Sequence, residues 1–146
     1  MKKSTALVRG RSQHWMPALF WLTGAAALVG VIALTTLPGR VRVINAVHNI
    51  LDHIFWGDMI GHFALFAALT FVLFWMLRRA ARLRVSLALW LTVFTGVMIG
   101  GITEYLQQYS PGRAVDRADL MANWLGVFAA ATVIMYAVLL VRLRKL

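Results

Sequence analysis

The sequence predicts an all-α, polytopic membrane protein, with four transmembrane helices in an antiparallel bundle and an interfacial helix in the first extracytoplasmic loop. Three observations lead there. The 146-residue chain is 61% hydrophobic and only 14% charged, with a mean hydropathy of +0.75, a composition of the membrane class. Its apolar residues gather into four segments, at about 15–37, 60–77, 86–103 and 120–141, whose lengths suit a bilayer core of about 30 Å. Its charges are sorted by sign among the gaps between those segments.

Lys2, Lys3, Arg9 and Arg11 precede the first segment, Arg78, Arg79, Arg82 and Arg84 separate the second from the third, and Arg142, Arg144 and Lys145 follow the fourth. The remaining basic residues, Arg40, Arg42, Arg113 and Arg117, fall in the first and third loops with all five acids, Asp52, Asp58, Glu104, Asp116 and Asp119. The positive-inside rule then puts both termini and the middle loop on the cytoplasmic side. A formal charge of +10 would suggest nucleic acid in a soluble chain. Here topology and attraction to anionic inner-leaflet lipid account for it, and residues interspersed with membrane spans cannot form a groove-reading element. No nucleic-acid partner is expected. The absence of cysteine excludes a disulfide framework, a thiol nucleophile and a thiolate metal site.

The first segment follows Lys2 and Lys3 as a secretory signal would. It is too long for a signal core and lacks a small-x-small cleavage site, so it reads as a retained helix stopped by Pro38 and Gly39. In the first loop, Ile44, Val47, Leu51, Ile54 and Phe55 recur at helical spacing and Trp56 closes the run, the pattern of an amphipathic helix lying in the outer interface. His48 and Asp52 on that helix are read as a solvated polar pair, not a metal site. The short loop "RRAARLRV" makes the second and third segments a helical hairpin. In the third segment Gly96, Gly100 and Glu104 lie four apart; small residues at that spacing admit a neighbouring backbone, which turns Glu104 toward the bundle. The chain forms one domain, 1–146.

The outer helix ends carry the chemistry. Asp58 and His62 share a face of the second segment, Glu104, Gln107 and Gln108 end the third, and Asp119, Asn123 and Gly126 line one face of the fourth. Ionisable groups in a span cost of order 3 kcal/mol at mid-bilayer and therefore pair and face inward. The bland readings are that Asp58 and Asp116 are helix N-caps, with Asp119 at the acidic position of a capping box, and that His62, Glu104 and Asn123 bond between helices. "SPGR" forms a turn through Pro111 and Gly112 that aims Arg113 back at the helix ends. Arg113 would neutralise Glu104 and Asp119 or hold an anionic ligand.

In these residues the chain resembles the VanZ-like family of small bacterial membrane proteins, whose pattern is D-K-x-x-H with a following aromatic, E-x-x-Q, a P-G-R turn and D-x-x-x-N-x-x-G. The matching residues are Asp58, Met59, His62 and Phe66; Glu104 and Gln107; Pro111, Gly112 and Arg113; Asp119, Asn123 and Gly126, within about 56–130. Met59 departs from the usual Lys and Phe66 from the common Tyr, which leaves Arg113 as the motif's cation. The resemblance implies a cell-envelope protein with a link to low-level teicoplanin resistance, a phenotype and not a mechanism.

Three functions compete. The first is an outer-leaflet pocket of Asp58, His62, Glu104, Gln107, Arg113, Asp119 and Asn123 that binds a lipid headgroup, a cell-wall precursor or a lipophilic glycopeptide. The second is an intramembrane enzyme acting on a lipid-linked phosphate or ester. His62 and Glu104 would exchange a proton there, or His62, Glu104 and Asp119 would hold a divalent metal; only Ser110 is near as a nucleophile. The third is a polar clasp in a protein that works by binding another membrane protein or its own copies. The pocket itself is assigned no metal, and no cofactor is named. A channel is disfavoured, since the inner halves of the spans hold no ionisable residue.

Overall fold

The protein is described by a computed structural model in which residues 15–36, 57–110 and 115–145 are defined. These form α1 (Trp15–Thr36), α2 (Gly57–Arg79), α3 (Val85–Gln107) and α4 (Arg117–Leu143), with no strand among the described residues. All four are long and apolar enough to cross a membrane. At about 1.5 Å per residue the shortest spans about 33 Å. The first-loop helix with His48 and Asp52, the Pro38–Gly39 stop and the Pro111–Gly112–Arg113 turn lie outside the described residues.

The helices outrun the apolar segments at their polar ends. Whereas the hydropathy runs start at about 60, stop at about 103 and restart at about 120, α2 begins at Gly57, α3 continues to Gln107 and α4 begins at Arg117. Hydropathy marks what sits in lipid, but a helix continues for as long as its backbone groups are bonded, and the polar residues at these ends supply partners.

Burial follows helical periodicity. On α2 the buried residues include His62, Phe66, Leu69, Thr70, Leu73 and Phe74; on α3 they are Ala88, Thr92, Gly96, Gly100, Thr103, Glu104 and Gln107. On α4 they are Asp119, Ala122, Asn123, Gly126, Val127, Ala130, Ala131 and Ile134. The outward faces are apolar instead, with Trp90, Leu22, Phe94 and Tyr136 all exposed. A surface of that kind is stable only in lipid, where burying apolar side chains brings no gain and close packing and polar bonds hold helices together.

Two apolar clusters join the elements. Val31, Phe66, Leu69, Leu73 and Val127 connect α1, α2 and α4, and Phe74, Ala88 and Ile134 connect α2, α3 and α4. The directions follow from the partners. Phe66 lies beside Gly100 and Phe74 beside Ala88, so α3 runs opposite to α2; His62 meets Asn123 and Phe74 meets Ile134, so α4 runs with α2.

The α2–α4 contact is the most extensive, and Gly126 explains why. A Cβ there would stand 2.3 Å from the Phe63 carbonyl oxygen, so only glycine lets the two backbones meet. Gly96 serves α3 similarly, since its Cβ would reach 2.9 Å from Val127. At the far end the α2–α3 turn is closed by Leu83 N–H donating to Leu77 O at 3.2 Å, by the Arg78 guanidinium donating to Leu83 O, and by Arg82 in the left-handed region at φ 53°, the conformation that commonly ends a helix.

Candidate functional site

Close approach of α2 and α4 at Gly126 sets the next outward turns face to face. His62, 5% exposed, reaches across so that its Nδ1 lies 2.9 Å from Asn123 Oδ1. The amide oxygen can only accept, so Nδ1 carries the hydrogen. Nε2 then faces Asp58 Oδ1 at 3.9 Å and Asp119 Oδ2 at 3.8 Å. Each helix contributes one i, i+4 pair, Asp58 with His62 and Asp119 with Asn123, and the pairs interlock because the helices run in the same direction. One ligand-type atom from each of Asp58, His62 and Asp119 lies within 4.8 Å of the others. The Asp58 side chain is 56% exposed and that of Asp119 10% exposed, so the group opens outward on the Asp58 side.

Glu104 is placed differently. It is buried, as the Gly96–Gly100–Glu104 stripe requires, and its Oε1 accepts the Asp116 backbone N–H at 2.6 Å. Asp116 is the N-cap of α4, its Oδ1 accepting from Ala118 N–H at 2.7 Å. In a capping box the N-cap N–H would go to the residue at the third helical position, here Asp119. Glu104 takes that amide from another helix, and Asp119 faces His62 instead. The α3–α4 connection is thereby tied, and the capping reading holds for Asp116 alone. Asp58 lies within the first turn of α2, where its charge suits the helix dipole.

Gln107 and Gln108 part company: Gln107 is buried and Gln108 exposed. The Gln107 carbonyl accepts from Ser110 N–H at 2.9 Å, which starts the turn after α3. Among the described residues, Gln107 Nε2 and Asn123 Nδ2 are buried donors without a hydrogen-bond acceptor. Arg113 lies outside the described residues. Phe66 is fully buried one turn below His62 and, packed on Gly100, forms part of the floor under the polar groups. Met59 lines a shallow apolar hollow with Ile60, Phe63, Ala122 and Leu125, on a different side of α2 from the cluster.

The enzyme alternative groups His62, Glu104 and Asp119 around a metal, whereas ligand atoms of Asp58, His62 and Asp119 are the ones that converge. Periodicity fixes which face a residue occupies but not which neighbouring helix that face meets. Sequence reasoning passed over Thr103, fully buried beside Glu104 with its hydroxyl donating to Ile99 O at 2.9 Å; its place on the Gly96–Gly100 face was the available signal. It also passed over Trp124, whose Nε1 donates to Val97 O at 3.3 Å and links α4 to α3.

The chemistry available is that of a polar cluster exposed on its Asp58 side: two carboxylates, an oriented imidazole and a buried amide donor, with a third carboxylate nearby that holds the start of α4. No curated protein and no solved structure matches the chain significantly. The VanZ/LLP1 family profile, by contrast, matches residues 12–141, nearly the whole chain and every residue of the cluster, and the protein therefore belongs to the VanZ/LLP1 family.

Proposed function

We propose that the protein is a lipid-headgroup-binding protein of the bacterial cytoplasmic membrane, with the Asp58–His62–Asp119–Asn123 chamber at the outer leaflet. The observation that carries this reading is the half-open geometry. Asn123 Nδ2 is wholly buried without an acceptor among the described residues, next to an imidazole facing a carboxylate pair that is exposed on its Asp58 side. A buried donor left unmade costs about 1–3 kcal/mol, which a bound polar group recovers. A phosphate-bearing headgroup offers acceptors at that depth, as would a lipid-linked cell-wall precursor. A lipophilic glycopeptide enters as a further candidate ligand through the family's link to teicoplanin resistance.

The electrostatics constrain the ligand. Asp58, Glu104 and Asp119 repel a bare phosphate, so binding one requires a cation at the site. Arg113 is the cation the sequence offers.

Native mass spectrometry of the purified protein should show a co-purified phosphate-bearing lipid that Arg113→Ala loses while keeping the wild-type melting temperature. Equal lipid occupancy in the two proteins would overturn the reading. Loss of occupancy only in step with loss of melting temperature would favour the polar-clasp function instead. Sidedness can be checked on the cysteine-free background, where Ser110→Cys should react with an impermeant maleimide from outside intact spheroplasts and Arg82→Cys should not.

A further inference from the structure

We infer that Asp58, His62 and Asp119 form a divalent-cation site, with Asp58 Oδ1, His62 Nε2 and Asp119 Oδ2 as its protein ligands. The argument begins with distances. His62 Nε2 is 3.9 Å from Asp58 Oδ1 and 3.8 Å from Asp119 Oδ2, beyond hydrogen-bond reach, which ends near about 3.2 Å. Two ligands of a single ion with bonds of about 2.0–2.2 Å stand no more than about 4.4 Å apart. Both separations lie inside that limit, and all three ligand atoms lie within 4.8 Å of one another. The last few tenths of an ångström are within reach of the exposed Asp58 side chain, while His62 and Asp119 are held by burial.

The imidazole is prepared for the role. Asn123 Oδ1 accepts from Nδ1 at 2.9 Å, which fixes the ring and turns Nε2 toward both carboxylates, the arrangement by which an outer partner orients a histidine ligand. The buried Asn123 amide supplies a second, independent observation. Its Nδ2 has no acceptor among the described residues, and an oxygen bound beside the cluster would satisfy it.

The donor set of two carboxylates and one imidazole suits an ion of the Mn²⁺ or Zn²⁺ kind. Three protein ligands leave coordination positions open, and the exposed Asp58 side places them toward the headgroup layer. The proposal deepens the headgroup reading and rests on it only for what fills those positions: the ion adds positive charge to that of Arg113, which lets an acidic cluster hold a phosphate.

The test uses the full chain in detergent, stripped with chelator and titrated with Mn²⁺, with free Mn²⁺ followed by electron paramagnetic resonance and Zn²⁺ by calorimetry. One equivalent should bind. Asp58→Asn and His62→Ala should each weaken binding at least tenfold. Asp58→Asn is the decisive variant, because its exposed position in the first turn leaves the fold intact, as circular dichroism would verify. Asn123→Ala, which removes a positioning residue, should weaken metal affinity about tenfold. A folded protein with no stoichiometric ion overturns the proposal. Undiminished binding by Asp58→Asn and His62→Ala overturns it equally. Lipid co-purification without metal sinks the ion and spares the headgroup reading; metal binding without any lipid does the reverse.

Discussion

Both ends of α2, α3 and α4 are charged, but the two ends handle their charge in opposite ways. At the Asp58 end, His62, Glu104, Asp119 and Asn123 turn inward and are buried. At the other end Arg79, Arg142 and Lys145 are exposed and, with Arg78, border a groove of about 570 Å³ walled by Phe71, Phe74, Trp75, Val133 and Ile134. Arg79 rests over the Trp75 ring at 5.1 Å. The difference is one of side-chain length. Lys and Arg carry their charge on long apolar stems that lie along a greasy wall while the head reaches water. Asp and Asn have one methylene and His has a rigid ring, so near lipid they must find partners inside the protein. The inward end is therefore specified by geometry and the outward end by composition.

Substitutions can break that contrast, and the largest effect is expected at the close approach. Gly126→Val places side-chain atoms against the Phe63 backbone and should cost about 3 kcal/mol by overpacking, read as a lower midpoint in a detergent unfolding titration. Gly30→Val adds the same atoms where the first carbon meets nothing within 4 Å, and it should leave the midpoint nearly unchanged. Equal losses at the two glycines would mean that the α2–α4 contact does not organise the site.

Within the inward end, removing an acceptor should cost more than changing its charge. Asn123→Leu strands the His62 Nδ1–H and should destabilise by about 2 kcal/mol. Glu104→Gln keeps an oxygen for the Asp116 amide and should cost only about 1 kcal/mol, the difference between a charged and a neutral acceptor. Circular dichroism melts of the two proteins, compared with wild type, would show the order, and a reversed order would place the weight of the cluster on Glu104.

The smallest effect is expected at the outward end. Arg142→Ala with Lys145→Ala should leave the melting temperature unchanged in neutral detergent, since neither side chain holds another element in place. A clear drop would show that the basic groove is also built, and the contrast between the two ends would fail.

Much of this was legible in the chain. Four apolar runs and the sorting of basic from acidic residues are sufficient for four membrane-crossing helices, because the bilayer imposes one length and one composition on any span. Spacing of four put Asp58 with His62 and Asp119 with Asn123, and Gly96 and Gly100 turned Glu104 inward, since helical periodicity is a local property of the backbone. The polar residues, and the family to which the chain belongs, could be read from the same pattern.

Which helix each face would meet could not. Glu104 reaches the Asp116 amide, Asp119 faces His62 in place of serving its own helix end, and Asp58 completes the group expected to include Glu104. Those choices depend on the rotation and depth at which α2 and α4 dock, set by the fit of Gly126 under the Phe63 carbonyl and of Val127 over Gly96. Hydropathy and helical periodicity are enough for four membrane helices and for the inward faces that carry their polar groups. The convergence of Asp58, His62 and Asp119 comes from packing, because bringing short side chains within 4 Å across two helices takes a backbone contact that periodicity does not encode.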